Sequence, residues 1–457
     1  MRRIFTLMML MLAIHMAMAQ NGVRIYDYKN QWSSTNATLT PGTYSGSGIP
    51  NGLNDKASSI KIYPGYQVTF AENADGTGYS KTYISRVGQL NRNLSDFLNN
   101  KVSYIKVLPY RDVSKKGICG PASLAVATGS DWYYDWGTNG SSATQYEYVP
   151  QQWGKGSDPA APNKVNGISD VTQLLMFNEP DNCNGQSGQY GDMCIVDTAV
   201  VAYEKMLKTG LRIGSPVTTE SQVDNYLYDF MVGAQNAGYR LDFVAVHWYD
   251  WKGWGQDHNM NSDPNGVFNR FKNYINSVYA IYGLPIWVTE FNANPNRYTW
   301  VQKKFLELAL PWLENQPFIE RYAYYRCTGW CDFQDSTGAL TPLGQVYKDH
   351  VSTLAIPEDY WDGPTLLEVT LNGNGGGGLR KVGALVSDVK EEKMFIYPNP
   401  VTSVLTVNGL KEDQLLEVIN VNGKTVIQKR GQSVDVSALS NGIYFLKVQD
   451  KVMKFIK

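Results

Sequence analysis

Leu174-Leu175-Met176-Phe177-Asn178-Glu179-Pro180-Asp181 is the stretch on which the fold turns. Four apolar residues closed by Asn-Glu-Pro describe a short strand buried on both faces, as a parallel sheet covered by helices requires. Pro180 brings no N–H to a ladder, so the strand stops at the carboxylate and holds Glu179 at its end. A glutamate there is as readily a solvated strand terminus as a functional group. A second stretch of the same make, Pro285-Ile286-Trp287-Val288-Thr289-Glu290-Phe291, shifts that balance.

On either side of these two stretches, short apolar strands alternate with helical or loop segments from Lys115 to about Asp349. Eight strands are expected, at 116–119, 130–136, 146–153, 171–178, 211–215, 242–248, 285–290 and 321–326. Helical stretches fall at 197–209, 222–237, 265–282 and 299–314, the last three with apolar residues at three- and four-residue spacing. Eight β/α units in about 235 residues is the usual size of a (β/α)8 TIM barrel. A doubly wound open sheet is the alternative, but no Gly-rich phosphate loop follows any of these strands.

In such a barrel the carboxyl ends of the strands form the site. Glu179 falls just beyond the fourth strand and Glu290 at the end of the seventh, on opposite sides of the mouth. Two opposed carboxylates are the minimum machinery for glycoside hydrolysis, one protonated to serve the leaving oxygen and one ionised to attack the anomeric carbon. Asn178 can hydrogen-bond a sugar hydroxyl. His247-Trp248-Tyr249 closes the sixth strand and Trp153 the third, while Trp136 and Trp330 fall near strand ends, where aromatic faces can form sugar subsites. The plainer alternative for His247 is a satisfied core histidine.

Eight motifs then occur in order: Lys115-Lys116-Gly117, Trp132-Tyr133-Tyr134-Asp135-Trp136-Gly137, Tyr148-Val149-Pro150-Gln151-Gln152-Trp153-Gly154, Phe177-Asn178-Glu179-Pro180-Asp181, Gly214-Ser215-Pro216, Ala245-Val246-His247-Trp248-Tyr249, Trp287-Val288-Thr289-Glu290-Phe291 and Glu320-Arg321-Tyr322-Ala323-Tyr324. Together they resemble glycoside hydrolase family 128, β-1,3-glucanases of the large retaining (β/α)8 clan, over the whole of 115–349. The resemblance implies a secreted endo-β-1,3-glucanase on laminarin- or curdlan-type glucan, with Glu179 as acid/base and Glu290 as nucleophile and no cofactor for catalysis. The chain departs from the pattern in Cys119 and in two cysteine-bracketed loops, which leaves the finer substrate preference open. The alternatives are a glucan-binding protein without activity, or a glycosidase or transglycosylase of the same clan acting on another β-glucan.

The flanks are of other kinds. Arg2 and Arg3, the apolar run from Ile4 to Met16 and Ala17-Met18-Ala19 read as a secretory leader over 1–19. Residues 20–110 are β-rich and repetitive, with Asn54-Asp55-Lys56-Ala57-Ser58-Ser59 recurring 45 residues on as Asn99-Asn100-Lys101-Val102-Ser103-Tyr104. A unit that short cannot bury its own core, so two copies are expected to pack as one sandwich. The repeat resembles a βγ-crystallin pair of Greek keys, with Tyr104 standing where the signature has a second Ser. That resemblance implies a structural Ca²⁺ held by Asn54, Asp55, Ser58, Asn99, Asn100 and Ser103, all oxygen donors of the kind a hard cation takes; turn-forming Asn, Asp and Ser are the alternative.

The barrel is expected over 115–355 and a linker over 356–393, including Asn372-Gly373-Asn374-Gly375-Gly376-Gly377-Gly378. Residues 394–457, with Tyr397-Pro398-Asn399-Pro400, the turn Asn422-Gly423 and Asp435–Val448, resemble the β-sandwich sorting domain of type IX secretion. This implies that machinery as a partner and passage across the outer membrane to the surface or medium. A net charge of −1 gives no electrostatic case for nucleic acid or an anionic membrane. No later segment has the roughly 18 apolar residues of a membrane span, and a monomer is expected. Among five cysteines in an exported chain, pairs Cys183–Cys194 and Cys327–Cys331 are expected, with a bridge between the two loops as the alternative and Cys119 left as a buried thiol.

Overall fold

A computed structural model describes residues 22–155, 161–363, 366, 395–397, 401–408, 414–420, 424–448 and 451–457. The leader and nearly all of the Gly-rich linker lie outside the described residues. The chain divides into two compact units, Met1–Leu371 and Asn372–Lys457.

The first unit opens with eight strands: β1 (Val23–Tyr26), β2 (Asn36–Leu39), β3 (Gly42–Ser45), β4 (Ser59–Ile62), β5 (Tyr66–Ala71), β6 (Ser80–Ser85), β7 (Leu90–Asn93) and β8 (Tyr104–Pro109). One sheet runs β2-β1-β4-β7 and the other β6-β5-β8-β3. Each repeat therefore lends its third strand to the other's sheet, which is why neither half closes a core alone. Ile25, Leu39, Ile60, Val68, Phe70 and Val107 fill the space between the sheets. The repeated Asn/Asp loops are reciprocal. Asp55 N–H donates to the Val102 carbonyl and Asn100 N–H to that of Ala57. Asp55 and Asn100 have matching φ of 55° and 59°.

Eight further strands follow: β9 (Lys116–Cys119), β10 (Trp132–Tyr134), β11 (Glu147–Tyr148), β12 (Gln173–Leu174), β13 (Arg212–Ile213), β14 (Val244–Trp248), β15 (Ile286–Phe291) and β16 (Ile319–Tyr325). Each lies at an expected position. Six form a parallel sheet, β11-β10-β9-β16-β15-β14, and β12 pairs in parallel with β13. Parallel bridges Gln151–Leu175 and Gly214–Phe243 join the two sets, so pairing passes from each strand to the next and returns from β16 to β9. Regular pairing in β12 is shorter than expected, but Leu174, Leu175, Met176 and Phe177 are all buried, as an apolar run of that kind requires. Trp132, Phe243 and Trp287 pack in the centre, Phe243 stacked on Trp287 at 4.1 Å. Gly117 is obligatory there, because a Cβ would sit 2.1 Å from the Trp132 indole.

Around these strands lie α1 (Ala122–Thr128), α2 (Ala161–Asn166), α3 (Val196–Leu207), α4 (Tyr226–Asn236), α5 (Trp251–Asp257), α6 (Pro264–Tyr282), α7 (Thr299–Glu314) and α8 (Pro342–Asp349). The longest, α6, shows how its sequence sets its limits. The Asp263 side chain accepts from the Asn265 and Gly266 N–H groups, Pro264 occupies the first turn, and Gly283 ends the helix in the left-handed region. Its apolar face, Val267, Phe271, Ile275 and Val278, is wholly buried.

The sandwich covers the amino-terminal ends of the central strands. Gln67 Nε2 donates to the Thr172 carbonyl at 2.8 Å and Thr69 Oγ1 to that of Gly210 at 2.7 Å. Buried ion pairs Arg321–Glu147, Arg212–Glu320 and Arg240–Asp242 occupy the same end. One expectation is corrected here: the linker does not begin at 356. Strand β17 (Tyr360–Trp361) pairs with β6, Asp362 meets Lys81 at 3.0 Å, and Trp361 lies under the Arg212 guanidinium at 4.2 Å. These polar and aromatic residues dock because the sandwich edge offers unpaired N–H groups, three of which (Arg86, Val87 and Gly88) reach the Asp359 carbonyl.

Among the described residues the second unit is two antiparallel sheets, of three and four strands, around Leu405, Leu416, Val418, Val434, Leu446 and Phe455. Strands Leu415–Asn420 and Thr425–Arg430 pair across the expected Asn-Gly turn, whose residues lie outside those described.

Candidate active site

Glu179 sits where the sequence places it, past the end of β12, but at φ +44°, a left-handed conformation unusual for a side-chain-bearing residue. Its N–H donates to the Val217 carbonyl at 2.7 Å, and its own carbonyl accepts from Asn182 at 3.2 Å. Those bonds hold the strain in place. Glu290 reaches the site through an irregularity. Val246 pairs with Val288, yet the next residue, His247, pairs with Glu290, so Thr289 is a bulged extra residue in β15. The bulge sets Glu290, rather than Thr289, beside His247.

His247 lies between the two carboxylates. Its Nδ1 is 3.1 Å from Glu179 Oε1. Its Nε2 is 3.3 Å from Glu290 Oε1, close enough for charge attraction but without hydrogen-bond alignment. Burial works against a charge on the ring, but the Glu290 charge and the hydrogen bond to Glu179 outweigh it and raise the imidazole above its ordinary pKa.

The surroundings of the two glutamates differ. Trp136 Nε1 donates to Glu290 Oε1 at 2.8 Å, the Tyr134 hydroxyl donates to the same oxygen at 3.1 Å, and the Tyr249 hydroxyl donates to Oε2. Burial first, then the Glu290 charge, pushes both phenols well above their usual pKa, so both stay donors. Glu179 has His247 as its one side-chain partner among the described residues, and is the more exposed of the two, at 16% against 7%. Asn178 Nδ2 donates to Gln186 at 3.1 Å, while its Oδ1 is buried without a partner among the described residues.

All of these groups except the fully buried Tyr134 line a cleft of about 750 Å³ that also takes in Trp153, Glu220, Trp251 and Tyr325. Of the sugar-facing residues expected from sequence, Asn178, His247, Tyr249, Trp136 and Trp153 line it. Trp248 does not: adjacent to the inward His247, it packs outward against Phe271 and Phe305. Trp330 does not line it either, being edge-on to Tyr298 at the surface. Sequence reasoning missed Tyr134, which lies inside a Trp-Tyr-Tyr strand whose inward residue the pattern cannot single out. It also missed Glu220, which opens the one-turn 3-10 helix Glu220–Gln222; burial raises the Glu220 pKa against the N–H bonds it accepts from Tyr249 and Lys252. The expected disulfides are present, Cys183–Cys194 with Cα atoms 5.2 Å apart and Cys327–Cys331 with 5.1 Å, and Cys119 is free and buried. Tyr190, inside the first of these loops, backs Trp153 at 6.0 Å.

Among the described residues no helix is long and apolar enough to cross a membrane. In the Asn/Asp loops of the sandwich, Ser103 Oγ donates to Asp55 Oδ1 at 2.8 Å and to Asn54 Oδ1 at 3.0 Å, and Ser58 Oγ to Asn100 Oδ1 at 3.0 Å. Asn99 stands apart from these pairs, its Oδ1 buried without a partner among the described residues.

Residues 120–347 match the family described as glycosyl hydrolase catalytic core, and residues 395–457 match the secretion system C-terminal sorting domain. The chain is similar to alkali-sensitive linkage protein 1 of Schizosaccharomyces pombe, 30% identical over 243 residues that make up 49% of this chain and 41% of that protein. It thus spans less than half the length of that curated relative. Among solved structures it is similar to a GH128 (subgroup I) endo-β-1,3-glucanase from Amycolatopsis mediterranei in complex with laminaritriose, at 26% identity, 51% of this chain, 98% of the other and a TM-score of 0.43. It is also similar to a GH128 (subgroup III) curdlan-specific exo-β-1,3-glucanase from Blastomyces gilchristii, at 28% identity, 52% and 98% coverage and a TM-score of 0.42.

Proposed function

Because residues 120–347 belong to the glycosyl hydrolase catalytic cores and residues 395–457 to the secretion-system sorting domains, making the chain an exported glycoside hydrolase, we propose that it is a retaining endo-β-1,3-glucanase of family 128. The eight ordered motifs support the family and the β-1,3-glucan substrate. The cyclic parallel pairing of β9 to β16 supports a (β/α)8 barrel with the site at its carboxyl end. The observation that carries the assignment of roles is the unequal holding of the two glutamates. Glu290, fixed by Tyr134, Trp136 and Tyr249, is an acceptor aimed by three donors and suits the nucleophile. Glu179, freer and facing the cleft, suits the acid/base.

In the first step Glu290 attacks the anomeric carbon while Glu179 gives its proton to the departing glycosidic oxygen, leaving a glycosyl ester on Glu290. Water then attacks the same carbon, returns a proton to Glu179 and frees Glu290. His247 orients the Glu179 carboxyl, and the Asn178 oxygen, without a partner among the described residues, awaits a sugar hydroxyl whose hydrogen bond tightens as the oxocarbenium forms. Reducing-sugar release from soluble laminarin tests this. Glu179→Ala and Glu290→Ala should each lose roughly 10³-fold or more in kcat while still binding laminarin. Full activity in either variant would sink the roles assigned.

The sandwich is read as a βγ-crystallin-like pair of Greek keys over 20–110, on the strength of the exchanged third strands. Its Asp55, Asn54 and Ser103 oxygens converge from two loops and fit a hard cation such as Ca²⁺, whereas the Ser58–Asn100 pair brings no carboxylate. Chelation should therefore lower the melting temperature by ligand linkage. An identical melt in EDTA and in millimolar Ca²⁺ would leave these loops as turns only.

A further inference from the structure

The two repeats of the sandwich present the same hairpin to different surroundings. Hairpin β1–β2 closes where Tyr26 pairs with Asn36, and β5–β6 where Ala71 pairs with Ser80. Counting back from the second strand of each sets Trp32 against Gly76. The second hairpin docks inside the molecule. Asp75 meets Lys208, just past the end of α3, at 2.9 Å, and a Cβ on Gly76 would lie 3.2 Å from the Lys208 Cα, so a side chain there would crowd the helix end. The first hairpin carries an indole at that point instead. Trp32 is 86% exposed, and its side chain makes no hydrogen bond or ring contact among the described residues. Tyr28, 67% exposed, stands at the other end of the same turn, the 3-10 helix Lys29–Gln31.

The turn that carries these rings is pinned in place. Asn30 and Gln31 both lie in the left-handed region, at φ 60° and 56°. Asn30 N–H donates to Asn93 Oδ1 at 2.6 Å, Asn93 Nδ2 donates back to Asn30 Oδ1 at 2.9 Å, and Gln31 N–H donates to Ser59 Oγ at 3.0 Å. Strands β4 and β7 thus hold the turn, and two large apolar side chains stand in water on a fixed base. Size and charge choose what covers them. Two aromatic side chains offer roughly 300–500 Å² at most, short of the ~800 Å² that each partner of a stable protein complex buries. A second copy of this chain finds too little there, whereas a polysaccharide one sugar wide needs no more. Lys29 and Asp96 lie 3.9 Å apart and offset each other, and Asn30, Gln31 and Asn93 add carboxamides. Such a surface suits a neutral ligand rich in hydroxyls, whose sugar rings stack their C–H faces on an aromatic plane.

We propose that the β1–β2 hairpin is a second, non-catalytic binding site for a neutral polysaccharide, the same β-1,3-glucan that the cleft cuts, with Trp32 as its stacking platform. The identity of that glucan rests on the glucan-hydrolase reading. The sandwich covers the amino-terminal ends of β9–β16 and the cleft opens at the other, so the two sites engage separate stretches of a particle or gel, and binding at the hairpin raises the effective concentration of glucan at the cleft. The full chain, Trp32→Ala and Trp32→Phe are compared for partition onto washed curdlan particles in the cold and for kcat/KM on laminarihexaose, with thermal melts to confirm folding. Affinity for the particles should fall about tenfold in Trp32→Ala, the usual size of a lost aromatic anchor, and recover in Trp32→Phe, while laminarihexaose, held by the cleft alone, is cut equally by all three. Equal partition of the folded Trp32→Ala and unaltered chains would overturn the site. An equal fall on laminarihexaose would overturn its separateness from the cleft. A dimer in sedimentation that Trp32→Ala abolishes would give the hairpin to a second copy and also overturn it. Hydrolysis of no β-1,3-glucan by the unaltered chain would overturn the reading beneath, an outcome that the partition of Trp32→Ala does not share.

Discussion

Glu179 carries its carboxyl at the cost of its backbone. At φ +44° a residue with a Cβ gives up about 1–2 kcal/mol relative to the right-handed region, and the bonds to Val217 and Asn182 keep it there. Glycine has no such penalty. Glu179→Gly should therefore be more stable than Glu179→Ala by about 1 kcal/mol. Denaturant unfolding of the two variants measures this, and equal midpoints would mean that the conformation is unstrained. The position of this glutamate was legible in the sequence, because Asn-Glu-Pro must end a strand. Its strain was not, since no residue type in that stretch announces a positive φ.

At the scale of elements, β15 and its neighbours show what periodicity reveals and what it conceals. Apolar runs located all eight central strands, and the end of the seventh located Glu290. The bulge at Thr289 that puts Glu290 beside His247 was hidden, because an extra residue leaves no mark in a run of Val, Thr and Phe. Alternation likewise decides that Trp248 turns to the helices once His247 faces the cleft, so one of the expected aromatic contacts was lost. The other ends of the same strands make a different demand. Arg212 is fully buried and is paired with Glu320 through both terminal guanidinium nitrogens, Nη1 and Nη2. Removing one partner of such a pair leaves a bare buried charge and costs about 3–5 kcal/mol. Glu320→Ala should lose stability of that order in chemical unfolding with the cleft untouched; a loss below about 1 kcal/mol would mean that Trp361 and Gln173 suffice to hold the guanidinium.

At the scale of the molecule, three segments that read as separate from the sequence are two units in the structure. The repeat predicted a two-copy sandwich, and the sandwich is there. Its docking on the amino ends of β9–β16 was not legible, since the residues that make it, Gln67, Thr69, Ser80 and the strap around Trp361, are polar or lie in an apparent linker. That end is closed by protein and the opposite end is left open as the cleft that Glu179 and Glu290 line. On the function proposed above, these two carboxylates, in the intact protein, cut β-1,3-glucan internally and with retention. Proton NMR of laminarihexaose mixed with the full chain follows the anomers as they form. Signals of the β-anomer should rise first, then mutarotate, with shorter oligosaccharides of several lengths appearing together. First appearance of the α-anomer, or an unchanged hexaose, would contradict the account.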